Sequence, residues 1–420
     1  MGEGVGRSRR EAVMLVVAVC LAAMNMRPTV TALGPVLDQI GADTGLSISA
    51  LGVLAAVPLV TWAVLSPLTH TLGRRFGVDR LMLWSLLLLA LGTGVRSISG
   101  PQATLWLGTV LIGAALAVVN VLMPAVVKRD FPGRVAAMTA VYSALLGGFG
   151  AIASGVVVPI SLAVGGSSAG DWRAALLISG GVLLLPGIVV WVWPALRSPK
   201  PSRPGRVKHP RTGIWGDRTA WAVAGYMGLQ AATFYMIVTW LAAIAVAAGH
   251  SPVAAGVDVM LYQAGSVIGA ITLPLALRGR RDERFVAMGL PAVAIAALVG
   301  MLLVPTGVAW WAVLLGLGSG AMLAMSLTLI SQRARTAEDA SALSGMSQGV
   351  GYAIAAGGPI VFGWLHTVTA GWTASILLTV VLLCVTGVVG LIAGRPVFVL
   401  DHRVPVREAG PDPVRRNPLR

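Results

Sequence analysis

Charge is what this 420-residue chain has least of: only 11% of its residues are Asp, Glu, Lys or Arg, against about 25% in an average soluble domain. That shortage excludes an ordinary soluble enzyme, a disordered chain and a nucleic-acid-binding module. Cysteine is scarcer still. Cys20 and Cys384 lie far apart within apolar runs and offer no disulfide framework, metal spacing or redox motif. Acidic residues number 16 and histidines five. No cluster combines a nucleophile with a base, and the glycine-rich runs lie in apolar stretches without a preceding strand, so no catalytic site, metal site, cofactor or phosphate loop is expected. The deficit of acids against 31 Lys and Arg leaves a formal charge of +15. In a soluble domain that excess would mark a nucleic-acid partner; in a membrane chain it marks loops facing the cytoplasm.

The chain is rich instead in apolar residues, 56% of the total. They fall into twelve stretches near the length of about 20 residues that a membrane-crossing helix needs: 12–40, 48–71, 79–97, 102–127, 134–164, 172–196, 218–248, 252–277, 285–304, 307–331, 338–366 and 372–394. The first is too long for a cleaved signal and a polar cluster interrupts it. A Pro-rich basic stretch, 197–217, separates six spans (1–196) from six more (218–396), and a tail, 397–420, follows. With both termini cytoplasmic, 28 of the 31 Lys and Arg lie on the cytoplasmic side, the asymmetry that orients membrane helices. The expected class is therefore an all-α, twelve-helix, multi-pass protein of the cell membrane. The lipid bilayer is its partner, nucleic acid is not, and a monomer is the expected state.

The halves echo each other at offsets of 200–206 residues. Gly73-Arg74-Arg75 matches Gly279-Arg280-Arg281; Gly147, Ala151 and Gly155 match Gly349, Ala353 and Gly357; Gly170-Asp171-Trp172 is similar to Ala370-Gly371-Trp372. Small residues four apart share one helix face and admit a close neighbour. Spans five and eleven are thus expected at the contact between halves, as static packing or as a rocking surface.

Two six-helix halves with Gly73-Arg74-Arg75 after span two resemble the major facilitator superfamily. The motif there is degenerate, with Ser66, His70 and Thr71 in place of Gly, Asp and a basic residue, which puts the usual charge-relay gate in doubt. Four segments are similar to the cyanate/nitroimidazole branch: Asn25-Met26-Arg27-Pro28, the run from Asn120 through Pro124 to Pro132, the run Gly228–Trp240 and the run Leu343–Tyr352. The resemblance implies transport of a small molecule by alternating access. It also implies a central cavity lined by spans one, four, seven and ten, with two, five, eight and eleven beside them.

Arg27 lies about 14 residues, or ~21 Å, into its span, where an arginine costs about 2.5–3.5 kcal/mol. No carboxylate lies one or two turns away; Asp38 is three turns off. Arg27 therefore contacts an anionic or dipolar substrate, or pairs with another helix. Pro28 removes an N–H and frees the carbonyl of Met24, producing a local break or a mere kink. Asn25, Asn120, Gln230, Tyr235, Tyr262, Gln263, Gln348 and Tyr352 are the other candidate substrate residues, against interhelical bonding or packing. Phe234 and Trp62 stand beside them. Arg74 and Arg75 are candidate gate residues, and Lys128, Arg129 and Arg134 with Asp130 a candidate latch. Asp258 is the candidate for proton coupling. The solute expected is a small anion or small polar heterocycle. A multidrug-type efflux carrier and a non-transporting sensor are the alternatives.

Overall fold

In the computed structural model the described residues are 9–166, 170–197, 212–279 and 282–401, and among them every regular element is helical. Most of the linker, the terminal tail beyond Asp401, and Arg280 and Arg281 lie outside them. Span one is segmented: Arg9–Met26, Pro28–Thr31, a 3-10 turn Gly34–Val36, and Leu37–Thr44. Spans two to five are single helices, Ile48–Phe76, Val78–Arg96, Gln102–Asp130 and Val135–Gly165, and span six is split into Trp172–Gly181 and Leu184–Arg197. Spans seven to twelve are Arg218–Ala247, Pro252–Leu277, Arg284–Leu303, Val308–Gln332, Ala337–Thr369 and Thr373–Ala393. Eleven of the twelve are apolar and long enough to cross a membrane. Span eleven, of 33 residues, has the length, but Gly, Ser and polar residues dilute its hydropathy.

The repeat is carried in the local chemistry of the helix starts. Gly45 and Gly249, both at positive φ, are followed two residues on by Ser47 and Ser251. These serines accept the backbone N–H of Ala50 and Ala254 and cap spans two and eight. A serine oxygen there satisfies one of the donors that a helix start leaves unpaired. These pairs are 204 residues apart.

Packing across the molecule follows small residues. Spans eight and ten approach most intimately. A side chain added at Gly265 or Gly269 would strike the backbone of Val313 or Leu317, and one at Gly316 or Gly320 that of Tyr262 or Ser266. Each helix thus presents a small-xxx-small row to the other. The halves touch through spans five and eight, where Gly147 faces Val267 and Gly155 faces Met260, and through spans two and eleven, where Gly52 meets the Pro359 carbonyl. Spans five and eleven therefore both reach the partner half, each against a different helix. Gly349 and Gly357 face open space. The close contacts of span eleven lie instead at Gly351 and Gly358, against span seven, because those two positions occupy the helix face turned inward.

Candidate functional site

The turns after spans two, four, eight and ten share one end of the molecule, here the basic end. Towards the opposite end the halves are joined: Ser49 and Thr367 hydroxyls lie 3.1 Å apart, and Trp62 packs edge-on against Tyr352 and Tyr235, with ring centres 5.2 and 6.0 Å away. Towards the basic end, Gly148, Gly345 and Gly349 on spans five and eleven have nothing near them. The halves are thus joined towards the end opposite the basic one.

Arg27 sits at the break of span one. The helix stops at Met26 and restarts at Pro28, so Arg27 is the junction residue, half-buried. The Arg27 carbonyl accepts the N–H groups of Val30 and Thr31 at 3.0 Å. Its guanidinium lies over the Phe234 ring, 5.4 Å from the centroid. Among the described residues it forms no ion pair with a carboxylate. Phe234 in turn packs against Tyr235 and Tyr262. A half-exposed cation and an aromatic wall thus face one opening. Tyr352 and Gln348 on span eleven and Asn120 on span four are half-buried. Gln348 donates to Ser344 on its own helix at 3.0 Å.

Other expected contacts are committed elsewhere. The Asn25 amide donates to the carbonyls of Leu21 and of Leu183, 2.7 and 2.9 Å away, and so holds span one to the split in span six. The Gln263 amide reaches Ser154 Oγ at 2.7 Å and the Gly150 carbonyl at 3.2 Å, while Thr31 Oγ1 lies 2.9 Å from that same carbonyl. Together they clasp spans one, five and eight across the two halves. Tyr262 donates to Ser319 Oγ at 3.1 Å, and Gln230, fully buried, reaches only the sulfur of Met227 at 3.5 Å. Each of these four groups already has a hydrogen-bond partner, Gln230 on its own helix; a buried donor without one is costly. Asp258, near the joined end, accepts from or donates to His250 Nδ1 at 2.7 Å.

The basic end carries two matched charge clusters. Arg129, ending span four, bonds both carboxyl oxygens of Asp79, which opens span three, at 2.6 and 3.0 Å, and also Asp130. Arg333, ending span ten, bonds Glu283, which precedes span nine, at 2.8 Å, and the carbonyls of Ala393 and Gly394. Burial pushes the Arg333 guanidinium below its ordinary value, and Glu283 opposes that shift. Again the paired residues are 204 apart. Arg74 and Arg75 are exposed and, among the described residues, join no ion pair. The offset itself was the signal for these pairs, once applied to charges as well as glycines.

The largest surprise is Arg96. By sequence it ends span three at the membrane edge, yet it is 1% exposed. The close approach of Gly108 on span four to its backbone lets the side chain lie inside, where Nη1 donates to the Thr29 carbonyl at 2.9 Å. That carbonyl is free because span one is irregular there: the Leu33 N–H bonds Val30 instead. No pattern in the sequence distinguishes an inward from an outward arginine at a helix end.

Two pseudo-equivalent helical halves, joined towards one end around a broken helix with a half-buried cation, define a membrane transporter. Residues 15–356 match the Major Facilitator Superfamily, and the chain belongs to that family, in its cyanate/nitroimidazole branch. It is 34% identical to the 2-nitroimidazole transporter of Escherichia coli (strain K12), over 92% of this chain and 97% of that one. It is 28% identical to the Cyanate transport protein CynX of the same organism, over 86% and 91%, and 36% identical to the Uncharacterized transporter YycB of Bacillus subtilis (strain 168), over 92% and 95%. Among solved structures, a bacterial homolog of the lysosomal transporter Spinster, inward-facing and unoccupied, superposes with a TM-score of 0.72 at 17% identity, covering 92% of this chain and 98% of that one. A D-xylose-proton symporter gives 0.70 at 13%, covering 90% and 97%. These proteins are transporters, not enzymes.

Proposed function

We propose that this transporter moves a small anion or a small, flat polar heterocycle between its halves by alternating access. Its basic end faces the cytoplasm of a cell carrying it in the cell membrane, and it acts as a monomer whose two halves are consecutive in the chain, 1–196 and 218–396. One observation carries the reading: Arg27, at the break of span one, is half-buried beside Phe234 and has no carboxylate partner among the described residues. A cation so placed needs a counter-charge or a strong dipole. Substrate entering from the basic end supplies it. Tyr352, Gln348 and Asn120, half-buried at the opening, complete the contact set in this reading, and Tyr235 and Phe234 form its floor. The names of the relatives, a 2-nitroimidazole transporter and a cyanate transport protein, support both solute classes.

The aromatic series Trp62, Tyr235, Phe234 and Tyr262 favours a flat heterocycle over a featureless anion, because ring faces and edges recognise another ring. A multidrug-type carrier would use the same wall without Arg27. Protonation of the His250–Asp258 pair is the remaining route for coupling to a gradient.

The test is exchange of cyanate and of 2-nitroimidazole in proteoliposomes, with Arg27→Gln alongside the parent. Loss of a charge-assisted bond of about 3 kcal/mol lowers apparent affinity about 100-fold. Parental rates in a normally inserted Arg27→Gln protein would sink the anchor role; competition by bulky dyes that survives in it would favour the multidrug alternative. Asp258→Asn tests coupling: an unchanged response to an imposed pH gradient removes it.

A further inference from the structure

Arg96 is a second cation within the span region, and the transport reading does not use it. It lies on the far side of Tyr235 from Arg27. A small cavity lined by Arg96, Thr29, Thr109, Tyr235 and Thr239, with apolar residues of spans one, two and seven between them, has room for about one water-sized guest. Three donors in this neighbourhood lack an acceptor among the described residues: Nε and Nη2 of Arg96 and the hydroxyl of Thr29. Arg96 and Thr29 are both 1% exposed. No carboxylate pairs with Arg96 among the described residues, and it is not desolvated against any acid. A buried guanidinium held by one carbonyl is left with charge and two hydrogen-bond donors uncompensated.

We propose that this cavity is a binding site for a small monovalent anion of halide size, held by Arg96 Nε and Nη2 and by the Thr29 hydroxyl; such a guest exceeds the water-sized space by a few tenths of an ångström in radius and seats by a small displacement of the side chains around it. The chemistry of the lining selects the guest. The guanidinium and the free hydroxyl offer donors and positive charge: a cation is repelled, and a neutral acceptor such as a water meets the donors but leaves the buried charge uncompensated, which an anion does not. The volume excludes a bulky organic anion. Occupancy neutralises Arg96, which no carboxylate among the described residues does. Tyr235 is shared by both places: it stands in the aromatic set beside Arg27 and lines the Arg96 cavity. This inference does not depend on Arg27 being the substrate anchor.

The experiment is a bromide titration of the purified full-length protein in gluconate buffer, read as the midpoint of thermal unfolding. Crystals grown in bromide are read by anomalous scattering. A saturable rise of about 2 °C is expected for the parent protein. It persists in Arg27→Gln, weakens in Arg96→Lys, and disappears in Arg96→Gln. Should Arg96→Gln fail to fold, Thr29→Val decides, with a half-saturating bromide concentration about tenfold higher. The anomalous peak is expected beside Arg96. The proposal is overturned if the rise does not saturate, if it survives in both Arg96→Gln and Thr29→Val, if it is lost with Arg27 and kept without Arg96, or if bromide is found only elsewhere.

Discussion

Spans one and seven hold equivalent places in the two halves, yet their backbones differ. Span one stops at Met26, restarts at Pro28 and turns again through Gly34–Val36. Span seven runs 30 residues without a proline and is the most buried of the spans. The broken helix supplies the cation and free carbonyls, one of which holds Arg96. The continuous helix supplies the wall: Phe234 under Arg27, Tyr235 and Tyr262's neighbour face beside it. A pseudo-symmetric molecule thus places polar chemistry in one half and shape in the other. Pro28 removes the donor that the Met24 carbonyl would use, and the irregular turn that follows sends the Leu33 N–H to Val30, which leaves the Thr29 carbonyl for Arg96.

The charge clusters at the basic end repeat the lesson in reverse. Arg333 and Glu283 have side chains 6% and 4% exposed, whereas Arg129 is 41% exposed. The same arrangement is dry in the second half and wet in the first. Removing one member of a buried pair strands the other, so Arg333→Gln is expected to cost about 3–5 kcal/mol of stability, the largest effect. It is measured as a shift in the unfolding midpoint, with Glu283→Gln in the same background recovering part of the loss. Arg129→Gln strands the buried carboxylate of Asp79, whose side chain is 8% exposed, so the expected cost there is smaller but still about 2 kcal/mol; equal damage would erase the contrast.

On the wall, Phe234→Ala removes a half-buried cation–π contact of about 1 kcal/mol, about fivefold in apparent substrate affinity, with the protein still inserted. That is smaller than the effect of Arg27→Gln and larger than that of any clasp residue. Gln263→Leu loosens the junction of spans one, five and eight at about 0.6 kcal/mol, about threefold in the balance between closed and open forms. Cysteine labelling at Ser49 reads that balance; a tenfold shift would mean that the clasp, more than the aromatic contact of Trp62 with Tyr352, holds the halves together.

Much of the architecture was legible beforehand. Twelve spans appear within a few residues of their expected limits, because a run of apolar residues long enough for the bilayer has only one economical backbone, the helix. Pro28 announced the interruption of span one through a local covalent fact. The candidate site was less legible. Asn25 and Gln263 carry the same polarity as Asn120 and Gln348, but the first two are consumed by Leu183 and by Ser154 and Gly150. A side chain's chemistry is written in the sequence; whether a neighbour has already taken its hydrogen bonds is not. The glycine rows show the same limit. Gly147 and Gly155 meet span eight, while Gly349 and Gly357, at matching positions of the repeat, meet nothing. Spacing defines a helix face, and only its rotation against a neighbour says which face is used.

The sequence alone thus determined the class, the count of spans, the repeat and Arg27, since apolar length, charge scarcity and an uncompensated arginine are properties of consecutive residues. The tertiary structure alone decided Arg96. Its place at a helix end is the same whether it points to solvent or inward; it turns inward because Gly108 lets span four close over it and because broken span one leaves the Thr29 carbonyl without a partner. Both conditions come from segments far from Arg96 in the chain, brought together only by folding.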